Sequence, residues 1–212
     1  MMQVVVFDFD MTIVDSLPIL RKSVMENLLS LNLNLPQVAE SELIAYTPEK
    51  FAKEIEAFNH PCRYSWQELL DRHNQSIRQY VDLYEIEGVT TLKRLRKKGI
   101  GLAIVSDSPR FIITGAIART DIIFDLILAY DDIEHGQSKT ERLRYCLEHF
   151  GCDGNDLMYV GDHPNDIISA QQAGVVAVGI TKGLHDENAL KEFKPDFIIK
   201  SLHEIIRLVD QH

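Results

Sequence analysis

Hydrophobic positions along this chain fall into two regimes. Val4-Val5-Val6-Phe7 is a short continuous apolar run, the pattern of a strand buried on both faces. From Leu17 the spacing changes to three- and four-residue steps (Leu17, Leu20, Val24, Leu28, Leu31), which predicts an amphipathic helix over 18–31, broken by the stretch 32–36. A short helix is expected over 40–45. Thr47-Pro48 then supplies a cap and a first-turn proline for a helix with Phe51, Ile55 and Phe58 on one face. Ser65-Trp66-Gln67-Glu68 has capping-box spacing and opens a helix whose face is Leu69, Leu70, His73, Ile77, Tyr80 and Tyr84. No strand pattern intervenes between Ser16 and about Glu87.

From Gly88 onward, strand and helix patterns alternate. Strands are predicted over 100–105, 124–129, 157–160, 175–178 and 197–199, and helices over 89–98, 109–119, 139–150, 164–173 and 202–209. Such alternation implies an α/β fold with a mostly parallel sheet covered by helices on both faces. The helical stretch behind the first strand reads as an insert. The expected domains are therefore an α/β core of 1–15 and 87–212 and a helical domain of 16–86. A chain of 212 residues suits one α/β domain carrying a smaller insert.

Three of the apolar runs end in polar groups: the first at Asp8, the second at Ser106-Asp107-Ser108, the third at Gly161-Asp162. In an open parallel sheet, ligands bind beyond the carboxyl ends of the strands, so these residues are expected to meet at one edge. Asp8, Asp10, Asp162 and Asp166 would bring four carboxylates there. Two charges about 4 Å apart repel by about 1 kcal/mol in water and about 4 kcal/mol at an effective dielectric near 20, so the cluster calls for a counter-charge. All-oxygen ligation favours Mg²⁺ or Ca²⁺ over zinc, and Mg²⁺ suits few carboxylates together with water and phosphate oxygens. Lys139 stands at the first position of a helix capped by Ser138 and Glu141, where a cation opposes the macrodipole. Its expected task is to balance the aspartates and a bound anion. Ser108-Pro109 is expected to cap the following helix, leaving the Ser106 hydroxyl and neighbouring N–H groups to hold phosphate oxygens.

A net charge of −10 leaves no broad basic surface for nucleic acid or anionic lipid. The three cysteines, Cys62, Cys146 and Cys152, have no metal-ligand spacing and read as reduced thiols. Neither a leader pattern nor an apolar run of membrane-spanning length is present in the sequence. The expectation is a soluble, unprocessed cytoplasmic protein, monomer or homodimer, acting on a small molecule.

Asp8-Phe9-Asp10-Met11-Thr12, Ser106, Lys139, and Gly161-Asp162 followed by Asp166 resemble the four motifs of the haloacid dehalogenase superfamily. The resemblance is to its phosphatase branch with a small helical cap, typified by phosphoglycolate phosphatases and β-phosphoglucomutases. Glu87-Gly88-Val89 and Gly179-Ile180-Thr181-Lys182-Gly183 also fit that pattern. The resemblance implies a Rossmann-like core and an inserted all-helical cap domain. It implies Asp8 as nucleophile toward phosphorus, Asp10 as acid and then base, and Ser106 and Lys139 as stabilisers of the transferring phosphoryl group. Mg²⁺ would be held by Asp8, the backbone carbonyl of Asp10 and Asp162, with Asp166 orienting the metal shell. Thr12 and Asp107 would contact substrate. On the cap, Tyr46 and Thr47 rank first for substrate choice, ahead of Arg21, Lys22, Lys50, Lys53 and Arg63. The implied activity is Mg²⁺-dependent hydrolysis of a small phosphorylated metabolite. The alternatives are mutase or phosphonate-hydrolase chemistry on the same scaffold, or a non-catalytic regulatory member. Three positions depart from the family pattern: Met11 stands for a usual glycine, Asp107 for a frequent asparagine and His163 for a usual serine.

Overall fold

The computed structural model describes residues 2–34, 48–135 and 138–211. Among them are six strands: β1 (Val4–Phe7), β2 (Gly101–Val105), β3 (Leu126–Leu128), β4 (Leu157–Gly161), β5 (Val176–Ile180) and β6 (Phe197–Ile199). They form one parallel sheet in the order β3-β2-β1-β4-β5-β6. Every residue of β1, β4 and β5 is buried, which is why these segments read as unbroken apolar runs rather than alternating ones. The chain winds outward from β1 to β3, then returns to β4 on the other side of β1. A reversal of this kind opens a crevice at the carboxyl ends of β1 and β4.

Helices fill the connections. In chain order they are α1 (Leu17–Leu31), α2 (Pro48–Phe58), α3 (Trp66–Arg78), α4 (Val89–Lys97), α5 (Arg110–Ile117), α6 (Lys139–Phe150), α7 (Pro164–Ala173), α8 (Glu187–Lys191) and α9 (Ile205–Gln211). On one face of the sheet, Val4, Val6, Ala103, Val105, Leu157, Tyr159 and Ala177 pack with Leu143 and Cys146 of α6 and with Ile167 and Ala170 of α7. Burial in that layer pushes the Cys146 thiol up to about 12, so it stays a neutral thiol.

Four elements differ most from the sequence expectation. α3 ends at Arg78, so Tyr80 and Tyr84 lie beyond its face and flank a 3₁₀ turn at Val81–Leu83. β3 is confined to Leu126–Leu128 because Asp125 turns its carboxylate onto the Leu102 N–H at 2.9 Å. α5 starts at Arg110 because Pro109 is extended and serves as its N-cap without a side-chain bond. The last helix begins as a 3₁₀ turn, Leu202–Glu204, before α9.

The chain divides into two compact units, Met1–Asp15 with Glu85–His212, and Ser16–Tyr84. At the crossing points within the first unit, Val14 bridges Ile86 and the Glu87 N–H donates to the Ile13 carbonyl at 2.7 Å. The second unit holds α1, α2 and α3 around Val24, Leu28, Leu31, Phe51, Ala52, Ile55 and Leu69. Ser65 and Glu68 form the reciprocal cap of α3. The expected helix over 40–45 and the candidates Tyr46 and Thr47 lie outside the described residues.

Buried in this helical unit, His73 is 7% exposed, its ring 5.4 Å from that of Phe51 and its Nδ1 without a partner. Burial lowers its pKa to about 4, so it is neutral when folded and takes up a proton near pH 6.5 when unfolded. The unfolded state binds more protons between those values, so the unit loses stability as pH falls from about 6.5 to 4, by up to about 3 kcal/mol. Urea titrations at pH 7 and pH 4.5 should show a smaller drop for His73→Leu than for the wild type.

Candidate active site

The register fixes what meets at the carboxyl edge. Phe7 pairs with Ile104 on one side and with Val160 on the other. Asp8 therefore leaves the sheet level with the ends of β2 and β4, and Ser106 and Asp162 follow one residue beyond. All three are buried: Asp8 is 6% exposed, Ser106 1% and Asp162 2%. The Asp8 N–H is tied to the Val160 carbonyl at 2.8 Å, which extends the ladder to the carboxylate itself.

Asp166 arrives from α7. His163 caps that helix through Nδ1, which accepts the Asn165 N–H at 3.1 Å, while Asp166 Oδ2 accepts the His163 N–H at 3.0 Å. The position is thus a working cap in which imidazole replaces the hydroxyl of a serine. Carboxylate oxygens of Asp8, Asp162 and Asp166 lie within 4.8 Å of one another. Asp10 is not part of this cluster; its Oδ2 accepts the Ser108 hydroxyl instead.

Lys139 enters at the first turn of α6, held there by the Ser138–Glu141 capping box. Its Nζ lies 2.6 Å from Asp166 Oδ1 and 3.1 Å from Asp8 Oδ1, with the side chain 11% exposed. Burial raises the Asp8 carboxyl to about 7 despite the nearby Lys139, with Asp166 and Asp10 adding to the rise. Asp162 is likewise held well above the usual carboxylate range by burial and by Asp166 and Asp8. Burial pulls the Lys139 ammonium down, but Asp166 and Asp8 outweigh it and lift it well above its usual value. One ammonium is too little for three buried carboxylates. Asp8 Oδ1 is buried and faces the Lys139 ammonium without a well-formed hydrogen bond. Hard oxygen donors and excess negative charge on buried carboxylates fit a divalent cation such as Mg²⁺.

Two glycines make the cluster sterically possible. A Cβ on Gly161 would fall 2.4 Å from the Asp166 side chain, and one on Gly183 would fall 1.8 Å from Asp162 Oδ2. Asp162 has little room to yield, since its Oδ1 accepts the Thr12 hydroxyl at 3.3 Å. Gly183→Ala should therefore displace that carboxylate and weaken apparent Mg²⁺ affinity by about tenfold or more, read by metal titration of thermal stability.

The structure brings Asp8, Thr12, Lys139, Asp162 and Asp166 into one contact network, with Ser106, Asp107 and Asp10 around it. Ser106 Oγ accepts the Ser108 N–H at 3.2 Å, and its own N–H donates to Leu128 at 3.0 Å. Sequence reading assigned the Ser108 hydroxyl to a helix cap; it is spent on Asp10. Two further contributors were missed. Tyr159, read only as core, directs its hydroxyl at the Val105 carbonyl (3.0 Å) and Asp166 Oδ1 (3.2 Å). Arg142, 1% exposed, donates to the Ser106 carbonyl and to the Asp107 carboxylate. Met11 has φ 51°, a left-handed backbone that explains why glycine is usual there. A helix arginine and a strand tyrosine carry no sequence signal beyond ordinary helix and strand composition.

A parallel sheet in this strand order, with a buried lysine–aspartate cluster on its carboxyl edge, defines an α/β protein with a candidate active site at that edge. The profile of the haloacid dehalogenase-like hydrolases matches residues 5–180, and the chain belongs to that family. It is 26% identical over 215 residues to pyrophosphatase PpaX of Oceanobacillus iheyensis, covering 97% of this chain and 95% of that one. Against PpaX of Bacillus velezensis the identity is 26% over 154 residues, and the match spans 72% of this chain and 64% of the relative's length. Among solved structures, a predicted phosphoglycolate phosphatase of Haemophilus somnus superimposes with a TM-score of 0.82 at 22% identity, covering 98% of this chain and 97% of that one. A predicted phosphatase of Clostridium acetobutylicum gives 0.83 at 18%, covering 100% of both chains. These likenesses establish the fold. Among the described residues, no helix is long and apolar enough to cross a membrane.

Proposed function

We propose that this protein is a Mg²⁺-dependent phosphatase that hydrolyses a small phosphorylated metabolite through an aspartyl-phosphate on Asp8. The observation that carries this reading is the buried triad of Asp8, Asp162 and Asp166 gathered around one lysine at the end of the central strand. Asp8, Asp162 and the backbone carbonyl of Asp10 would hold the ion, with Asp166 orienting its surroundings. When bound, Mg²⁺ supplies charge neutralisation that lets a carboxylate approach a phosphate dianion.

An Asp8 oxygen attacks phosphorus in line, and the bond from phosphorus to the ester oxygen breaks. Asp10 gives its proton to that leaving oxygen. It then takes a proton from the water that attacks the phosphorus of the aspartyl-phosphate, releasing inorganic phosphate and restoring the Asp8 carboxylate. Asp10 is partly exposed and hydrogen-bonded by Ser108, which fits a group that must exchange protons. Lys139 and the Ser106 loop offset charge on the transferring group. Thr12 holds Asp162 in place. The helical unit Ser16–Tyr84 would select the substrate.

The test is a screen of purified protein with Mg²⁺ against p-nitrophenyl phosphate, inorganic pyrophosphate, phosphoglycolate and hexose phosphates. Mg²⁺-dependent phosphate release from at least one is the expected result. No release from any of them would contradict the phosphatase reading in favour of a non-catalytic member. Conversion of a hexose phosphate without phosphate release would favour the mutase.

A further inference from the structure

Asp107 adds a negative charge beside a site meant for phosphate, and the structure shows what accommodates it. Arg142, one turn after Lys139 on α6, is among the largest fully buried side chains of the protein. Its guanidinium is spent on three acceptors: the Ser106 carbonyl, the Asp107 carboxylate and, at 3.4 Å, the Ser138 carbonyl. Buried arginines persist only where their donors are matched in this way. Its burial and these three bonds place Arg142 behind the Ser106–Asp107 loop as a support for it.

The bond to the Ser106 carbonyl has a geometric consequence. The carbonyl of Ser106 and the N–H of Asp107 belong to one planar trans peptide, so they point in opposite directions. Drawing the oxygen toward Arg142 turns the N–H away from it. Among the described residues no hydrogen bond uses that N–H. Were the peptide to flip, a carbonyl oxygen would present its negative end to the incoming phosphate.

We propose that Arg142 is a positioning residue of the phosphoryl site: its guanidinium sets the Ser106–Asp107 peptide with the N–H available to a phosphoryl oxygen and neutralises Asp107 so that the loop does not repel a dianion. This rests on the phosphatase reading above and deepens it. Lys139 and Arg142, three residues apart on one helix, then divide the task. The first balances the carboxylates of the metal cluster, and the second balances the loop opposite.

The two effects separate kinetically with p-nitrophenyl phosphate and Mg²⁺. In Arg142→Met the peptide should lower kcat about 10- to 100-fold, less than the about 10²- to 10³-fold of deleting a preorganised donor, because the N–H is misaimed and not removed. The unbalanced Asp107 should raise KM about tenfold. Adding Asp107→Asn to that variant should return KM to within about threefold of wild type while kcat stays low. Arg142→Lys keeps the charge but not the fork, so its KM should stay near wild type and its kcat fall about tenfold. Wild-type kcat in either Arg142 variant, or a double variant whose KM remains high, would overturn the proposal. If Arg142→Met does not fold, Arg142→Lys alone decides. A wild type without Mg²⁺-dependent hydrolysis would sink the phosphatase reading separately. A crystal structure of Arg142→Lys then tests the positioning claim alone: a rotated Ser106–Asp107 peptide supports it, and an unchanged one overturns it.

Discussion

Replacing Asp8 by asparagine is expected to lower kcat by about 10⁴-fold or more, because a neutral amide is a very poor nucleophile toward phosphorus. The same variant should gain stability when metal is absent. Burial holds the Asp8 carboxyl near 7 in the folded chain, against about 3.9 when unfolded. Between those values the folded state binds the extra proton, so metal-free wild type loses stability as pH rises from about 4 to about 7, by up to about 4 kcal/mol. Asp8→Asn has no such group to ionise. Urea midpoints of the two proteins in EDTA should coincide near pH 4 and separate toward pH 8, the variant being the more stable there. A variant that is folded, fully active and unchanged in its pH profile would contradict the assignment. Opposite effects on rate and stability mark a residue kept for chemistry at the expense of the fold.

Lys139→Met should be nearly as damaging and for a complementary reason. Its ammonium, almost wholly buried, lies within 3.1 Å of both Asp8 and Asp166. Removing one partner of a buried ion pair strands the others at a cost of about 3–5 kcal/mol. The raised pKa of Lys139 means that its stabilisation is present below the unfolded lysine value of about 10.4 and is lost only as pH rises through the folded value. The loss should thus be full at neutral pH. Saturating Mg²⁺ should recover part of it, because the ion supplies the positive charge the carboxylates then lack. The rate should not recover: kcat is expected to stay about 10³-fold down, since no other cation of the chain reaches these aspartates within 4 Å among the described residues. Metal-dependent urea titrations and steady-state rates check both statements, and a Lys139→Met protein with wild-type turnover would contradict them.

What sequence reading recovered and what it missed follow from the physics of each residue. The apolar runs of β1, β2 and β4 were visible because a strand buried on both faces leaves no polar alternation. Polar groups that stop such runs mark the carboxyl edge, so the Asp8, Ser106 and Asp162 set could be found before any register was known. Lys139 was legible through its cap: Ser138 and Glu141 fix the helix start, and a cation there is out of place unless an anion faces it. Arg142 was not legible, because an arginine within a helix usually faces solvent and only the sheet packing reveals its burial. Ser108 misled because a serine before proline resembles an N-cap, while the tertiary contact with Asp10 offered its hydroxyl a stronger acceptor. The departure at Met11 became intelligible only from its backbone angle, and that at His163 only from the cap bond its ring makes.

Chemical trapping of the Asp8 intermediate reads the central claim most directly. Protein turning over p-nitrophenyl phosphate with Mg²⁺ is quenched in acid and reduced with borohydride, which converts an aspartyl-phosphate to homoserine, and the peptide containing β1 is sequenced by mass spectrometry. Homoserine at position 8, dependent on both substrate and Mg²⁺, is the expected result. Homoserine at another aspartate, or none anywhere in an enzyme caught in steady turnover, would contradict it.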